Sequence, residues 1–383
     1  MQPPTLTDDE QPDAITLRQH TVADVDACLQ MCQDPQMQRW TTVPVPYQRQ
    51  HAEEFIAGRA AEWERDGDCT WAIEATDQDG ARRFAGNLSL RPNGTGAAEL
   101  GFALAPWARG RGVMSRAVRL ALGWAFASID EGGAGQLVVH WRAHVGNWAS
   151  RRVAWACGFR IEGTVRGLVP QRGVMHDAWI GSVVPGDELA PTSAWLEVPT
   201  LADELVRLRP WRADDVPRVV EGCADERTQR WLPGLPSPYT LADAQWYVGS
   251  REEEAASGTG IYWCVADAAS DTCLGAISLM KLDGPLADRE IGYWAHPDAR
   301  ARGVLTAAAR LVIGYALAPV DEGGLGVDRV TLRAATDNSA SRAVAERAGL
   351  CHYGTAHRVD RLRDGSVQDL ELYEALADVV PQA

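Results

Sequence analysis

Glu99–Ala117 reads ELGFALAPWARGRGVMSRA: an alternating apolar run, a loop of two arginines and two glycines, then an apolar stretch with helical spacing. Arg289–Ala308 reads REIGYWAHPDARARGVLTAA and places Glu290, Arg300, Arg302 and Gly303 in the slots of Glu99, Arg109, Arg111 and Gly112. From Arg109 to Arg300 the spacing is 191 residues. A strand that passes through such a loop into a helix is suited to holding a pyrophosphate. Glycine lets the backbone approach a ligand closely. The first helical turn offers unpaired N–H groups at the positive end of its dipole. Arginine adds charge and forked donors, and Ser115 or Thr306 can add a hydroxyl bond. Arg109, Gly110, Arg111, Gly112, Val113 and Met114 form the first loop; Arg300, Ala301, Arg302, Gly303, Val304 and Leu305 form the second. One such loop could be a plain turn with solvated arginines; two in the same context argue for a ligand. Neither is a GxxxxGK[ST] or a GxGxxG loop.

The repeat extends beyond the loops. ITLRQHTVADVD from Ile15 matches VRLRPWRADDVP from Val206, pairing Arg18 with Arg209 and Asp24 with Asp215. Gln38-Arg39-Trp40 matches Gln229-Arg230-Trp231, Tyr47 matches Tyr239, and Trp71 matches Trp263. GNLSL at Gly86 matches GAISL at Gly275, and Asn147 matches Asn338. Small changes of offset place insertions in loops, as in duplicated domains. The expected organisation is a domain over 1–190, a proline-bearing linker over 191–203, and a second domain over 204–383. Each half reads as mixed α/β. A strand opens it, helices follow near 22–32 and 52–65, then strands at 69–76, 84–91 and 98–105. A helix from 112, a strand at 136–143, a helix at 148–157 and two last strands complete it.

At 383 residues the chain has room for two domains. The formal net charge of −15 argues against a protein that grips a nucleic-acid backbone. Eight cysteines form no CxxC pair and sit with no histidines at zinc spacing, so no metal site and reduced, buried thiols in a cytoplasmic protein are expected. The polar, acidic start is no signal peptide, and no apolar run approaches a membrane span.

The R-x-x-G-x-x loop after an E-[IL]-G-[YF] strand resembles the acetyl-CoA loop of the Gcn5-related N-acetyltransferases (GNAT), whose pattern is Q/R-x-x-G-x-G/A. Arg109 and Gly112, and Arg300 and Gly303, match its first two fixed positions; Met114 and Leu305 replace the final small residue. Asn147, Ser150, Gly158 and Phe159, and Asn338, Ser341, Gly349 and Leu350, resemble the RimJ/RimL branch of that family. The likeness spans nearly all of both halves. It implies two tandem α/β domains, each a mixed, largely antiparallel sheet flanked by helices, with strands 4 and 5 splayed into a wedge. Acetyl-CoA, or another short acyl-CoA, would enter that wedge and meet backbone amides near Leu104–Ala105 and Ala295–His296. An N-acetyltransferase acting on a small-molecule amine or peptide N-terminus follows from the resemblance.

Such a reaction needs a base for the ammonium and a donor for the leaving thiolate. Glu99 and Glu290 are the expected bases. Ser150 and Ser341 are the expected donors, because the tyrosine that many members place four residues before the helix-terminal glycine is Ala154 or Ala345 here. Asn147 and Asn338 are expected both to cap a helix and to touch the cofactor. Trp40 and Tyr47, and Trp231 and Tyr239, lie where the family builds its acceptor pocket, with Asp177 and Asp369 as further candidates. The duplicated halves are expected to pack as a pseudo-dimer within one chain. The competing reading is a binding or regulatory protein that holds the acyl-CoA without turnover.

Overall fold

The computed structural model describes residues 4–8, 13–66, 68–284 and 289–377. The chain divides into two compact units, Met1–Thr192 and Ser193–Ala383. The first contains strands β1 (Leu6–Asp8), β2 (Ile15–Arg18), β3 (Cys69–Thr76), β4 (Arg82–Pro92), β5 (Ala97–Leu104), β6 (Val138–His144), β7 (Arg160–Gln171) and β8 (Val174–Val183). Its helices are α1 (Val25–Gln33), α2 (Pro35–Trp40), α3 (Arg49–Asp66), α4 (Val113–Phe126) and α5 (Trp148–Ala156). The second repeats this with β9 (Leu201–Ala202), β10 (Val206–Arg209), β11 (Gly260–Asp267), β12 (Cys273–Met280), β13 (Arg289–Ala295), β14 (Arg329–Ala335), β15 (Cys351–Arg361) and β16 (Val367–Leu376). Helices α6 (Val216–Ala224), α7 (Glu226–Trp231), α8 (Leu241–Ala256), α9 (Val304–Leu317) and α10 (Ser339–Ala348) accompany them.

Each unit forms one eight-stranded sheet, ordered β1-β2-β3-β4-β5-β6-β8-β7 and β9-β10-β11-β12-β13-β14-β16-β15. Neighbours run antiparallel except β5–β6 and β13–β14, which are parallel. Those two pairs also come apart. Ala97–Leu100 pair with Val138–Trp141 and the ladder then stops; in the second unit, among the described residues, Arg289 and Glu290 pair with Val330 and Thr331 and the ladder goes no further. The wedge therefore opens between the two strands expected to splay, which are the fifth and sixth of each unit because one short strand precedes those read from the sequence. The additional strands are β1 and β9, three and two residues long, too short to show periodicity in a sequence.

The matched tryptophans explain how each unit begins. The Trp71 indole N–H donates to the Pro4 carbonyl at 2.9 Å, and the Trp263 indole to that of Pro199 at 2.8 Å. Leu196 donates its N–H to Ala255 at 3.0 Å, and Leu196, Val198 and Leu201 pack on the second core. Much of the stretch read as a linker is thus the N-terminal strap of the second unit.

Strand alternation sorts the sheet into two faces. On one face of the first unit Leu88, Leu90, Leu100, Val139, Trp141 and Ala143 pack against α4 and α5. On the other, Ala72 and Phe84 meet Cys28 and Met31 of α1 and Ile56 of α3. The matched Arg18/Asp24 and Arg209/Asp215 are ion pairs, each a two-pronged fork at 2.8 and 2.9 Å. Burial pushes the Asp24 carboxyl up, but the Arg18 fork and the Thr21 N–H outweigh it and hold the group below its usual range. Seven cysteines are buried and free; Cys351 is exposed.

Candidate active site

Gly112 caps α4 at φ 72° and Gly303 caps α9 at φ 78°. Both are in the left-handed region, where a side chain costs roughly 1–2 kcal/mol. Gly110 is also left-handed at φ 73°, and its counterpart Ala301 adopts φ 60° despite its methyl group. A Cβ placed on Gly110 or Gly112 would meet nothing within 4 Å, so the front of the loop is open to a ligand. Val113 and Met114 turn into the core. The large residue in the final loop position therefore does not fill the space before the amides. Nη1 of Arg111 is buried with no hydrogen-bond partner among the described residues. An open, left-handed turn with an unsatisfied cationic donor fits an anionic group.

The other loop arginine behaves differently from expectation. Nη2 of Arg109 meets Oδ2 of Asp34 at 2.6 Å, and its Nε donates to the Leu104 carbonyl at 3.2 Å. Asp34 is also the N-cap of α2, accepting from the Met37 N–H at 3.0 Å. Arg300 likewise pairs with Asp225 and with Thr228 Oγ1, and Asp225 caps α7. These arginines tether the loop to a capping aspartate, and their backbone remains the part available to a ligand. Burial raises the Asp34 and Asp225 carboxyls, but the arginines and the cap N–H groups hold both below the usual range.

The wedge amides also sort differently. The Ala105 N–H donates to Ala85 at 2.7 Å and that of His296 to Leu274 at 2.8 Å, so neither is available to a pantetheine arm. Alternation turns the amides of Leu104 and Ala295 the other way, toward the wedge. The His296 ring lies between Asp298 at 2.8 Å and Glu221 at 3.1 Å. It braces the turn.

A cleft of about 1120 Å³ occupies the first unit's wedge. The expected catalytic and cofactor residues of this unit line it except Ala105 and Arg111. Glu99 lies at its inner end, where its carboxylate takes Arg91 Nη2 at 2.6 Å and Arg142 Nε at 3.1 Å. Glu290 is clamped in the same way by Lys281 at 2.6 Å and Arg333 at 2.7 Å. Each glutamate joins the strands that diverge, and to accept a proton it would have to share an oxygen with a cation.

Ser150 Oγ accepts from the Trp141 indole at 3.0 Å, which leaves its own O–H free to donate. In the second unit Leu332 replaces Trp141, and Tyr293 replaces Phe102. The Tyr293 hydroxyl then meets Ser341 Oγ at 2.9 Å. Burial pushes that phenol up to about 12, with the Ser341 bond opposing the shift. Ala154 and Ala345 occupy the expected tyrosine position, and this tyrosine arrives instead from a strand, within the Gly292-Tyr293 pair of β13. Asn147 and Asn338 cap α5 and α10, accepting from the N–H of Ser150 at 3.3 Å and Ser341 at 3.2 Å.

Trp40 lines the cleft, whereas Tyr47 is buried with Cys28 and Cys32. Asp177 accepts from the Gly167 N–H at 2.8 Å and Asp369 from that of Arg358 at 2.7 Å, so both hold the long hairpins. Ligand atoms of Asp215, Cys264 and Cys273 lie within 4.8 Å of one another, but both Asp215 oxygens are engaged by Arg209.

A sheet split at a parallel pair, with a left-handed glycine turn leading into a helix beside the split, forms a cleft that suits an elongated ligand with an anionic end. The chain matches the acetyltransferase (GNAT) domain family twice, over residues 14–160 and 206–350, and belongs to that family of N-acetyltransferases. It is 38% identical over 102 residues to YdaF of Bacillus subtilis (strain 168), named as a ribosomal N-acetyltransferase. That match takes in 27% of this chain and 52% of the relative, so the chain spans about half the length of the curated relative it matches. Among solved structures it is similar to Mycobacterium smegmatis RimJ in complex with CoA-disulfide, at 20% identity and TM-score 0.42, over 49% of this chain and 91% of that one. An acetyltransferase from Bacillus anthracis aligns at 19% identity and TM-score 0.41, over 47% of this chain and 99% of that one. Among the described residues no helix is long and apolar enough to cross a membrane.

Proposed function

We propose that the chain is a tandem acetyl-CoA-dependent N-acetyltransferase with one site in each unit, acting in the cytoplasm on a primary amine. The observation that carries this is the open wedge beside a left-handed glycine cap, present in both units. Bound acetyl-CoA supplies an activated thioester. The loop amides hold its pyrophosphate, with Arg111 adding positive charge behind the loop, and Leu104 or Ala295 supplies a wedge amide. Asn147 and Asn338 fix the helix start, and so the position of Ser150 and Ser341. Those hydroxyls donate a proton to the departing sulfur, Ser341 with Tyr293 beside it. Glu99 and Glu290 hold the cations at the wedge apex and so set its width.

The name of the Bacillus relative makes a peptide N-terminus the first acceptor to test. Calorimetric titration with acetyl-CoA should give a stoichiometry near two, and thiol release should depend on added amine. Binding without amine-dependent thiol release from any peptide, polyamine or amino acid would favour a regulatory protein instead.

A further inference from the structure

The first unit's cleft holds a polar side chain that the roles above do not use. His144 is the last residue of β6, lines the cleft and is 7% exposed. Val139, Trp141 and Ala143 face the α4/α5 core, so alternation places His144 and Arg142 on the opposite face. Ser150 bonds to Trp141 on the first of these faces. A wedge open to both faces can take the thioester with its sulfur toward Ser150 and the amine from the side of His144. The ring lies 5.0 Å from that of His176 on β8 and 6.2 Å, edge-on, from Trp40 on α2. Neither ring nitrogen has a hydrogen-bond partner among the described residues. The nearby charges are committed: Arg142 to Glu99, and Arg39 to the face of Trp40. Burial, and then His176, lower the affinity of His144 for a proton.

We propose that His144 is the base that deprotonates the incoming ammonium in the first unit, with His176 passing the proton outward, and that the second unit works without this device. The second unit has Ala335 at the position of His144 and Gln368 at that of His176. This rests on the acetyltransferase reading of the same cleft. The balance is simple. An alkylammonium gives one proton to a nitrogen of His144 and becomes nucleophilic. Its nitrogen forms the C–N bond as the C–S bond breaks. A second proton reaches the sulfur through Ser150, the third stays on the amide, and the His144 proton leaves by His176 to solvent. A neutral imidazole is suited to the first step at pH 7.

The test uses the full chain carrying Gly303→Val, with titration to establish that one acetyl-CoA site remains. The acceptors are tripeptide amides differing in their first residue, together with spermidine. His144→Ala should lower kcat by about 100-fold or more and leave acetyl-CoA affinity within about twofold. It should also remove the fall in kcat/KM on the acid side, and added imidazole should restore part of the rate. His144→Gln, which keeps the volume, should show the same loss. His176→Gln should have a smaller effect on kcat. Intact acetyl-CoA binding with kcat and pH profile unchanged in both His144 variants would overturn the proposal alone. A parent chain that binds acetyl-CoA but acetylates none of these amines would overturn the enzyme reading and this role with it.

Discussion

The Arg109 guanidinium meets the Asp34 carboxylate at 2.6 Å, and Arg300 and Asp225 repeat the pair in the second unit. One aspartate thereby performs two tasks: it caps a short helix beside the cleft and holds the first arginine of the loop. Asp34→Ala should destabilise the first unit by about 0.5–2 kcal/mol through the lost cap, and Asp225→Ala the second. The partly exposed ion pair itself should add less than about 1 kcal/mol. Chemical denaturation of each variant, with Arg109→Ala completing a double-mutant cycle, measures both parts. A coupling well above that bound would show the pair to be the stronger element.

Gly112→Val and Gly303→Val should each remove one acetyl-CoA site. There is room for a side chain, but the left-handed backbone disfavours it and its methyl groups would stand where a ligand approaches. Titration stoichiometry should fall from two to one in each variant and to zero in the double variant. An unaltered stoichiometry would exclude the loop as the phosphate cradle.

Ser150→Ala should reduce both activity and stability. The buried Trp141 indole would lose its acceptor, which costs roughly 1–3 kcal/mol. Ser150→Ala together with Trp141→Phe should recover part of that stability without recovering kcat. Recovery of kcat in the pair would mean that the serine serves only the tryptophan.

Glu99→Gln combined with Glu290→Gln tests the carboxylates as bases. Each is clamped by two cations. The double variant should therefore lose less than about tenfold in kcat, short of the ~10²–10⁴-fold attached to a general base. A loss within that range, with acetyl-CoA affinity intact, would restore the glutamates as bases.

The first unit should lose stability as pH falls below about 6.5. Burial depresses proton binding at His20, whose Nε2 faces Asn87 Oδ1 at 2.7 Å and whose Nδ1 is buried without a partner among the described residues. Burial also depresses it at His144. The folded form then binds fewer protons than the unfolded form, so stability is complete above the unfolded histidine value and is lost on acidification. Calorimetry of the full chain from pH 7.5 to 5 should show this slope, and His20→Gln should flatten it. Equal slopes in the two chains would remove His20 as a contributor.

Local pattern made much of the fold readable. The strand Cys69–Thr76 has the expected bounds and the helix Trp148–Ala156 ends one residue before the expected 157, because apolar periodicity and capping act within a few residues. The helices α2 and α7 were not foreseen. Six residues each, they depend on an aspartate cap whose partner arginine lies 75 residues away. At the site, the glycine loop and the capping asparagines were readable for the same local reason. Tyr293 and His144 were not, since both come from strands and acquire a role only from what the sheet sets opposite them.

By itself the sequence determined the duplication, the loop that turns left-handed at Gly112 and Gly303, and the family, because each is written in the order and spacing of near neighbours. The tertiary structure decided which groups are available for chemistry. Arg109 is committed to Asp34, Glu99 to Arg91 and Arg142, and the Ala105 amide to Ala85, whereas His144 lines the cleft with no hydrogen-bond partner among the described residues. Residue type states what a side chain can bond; the contacts across the sheet, between residues far apart in the chain, settle what it does bond.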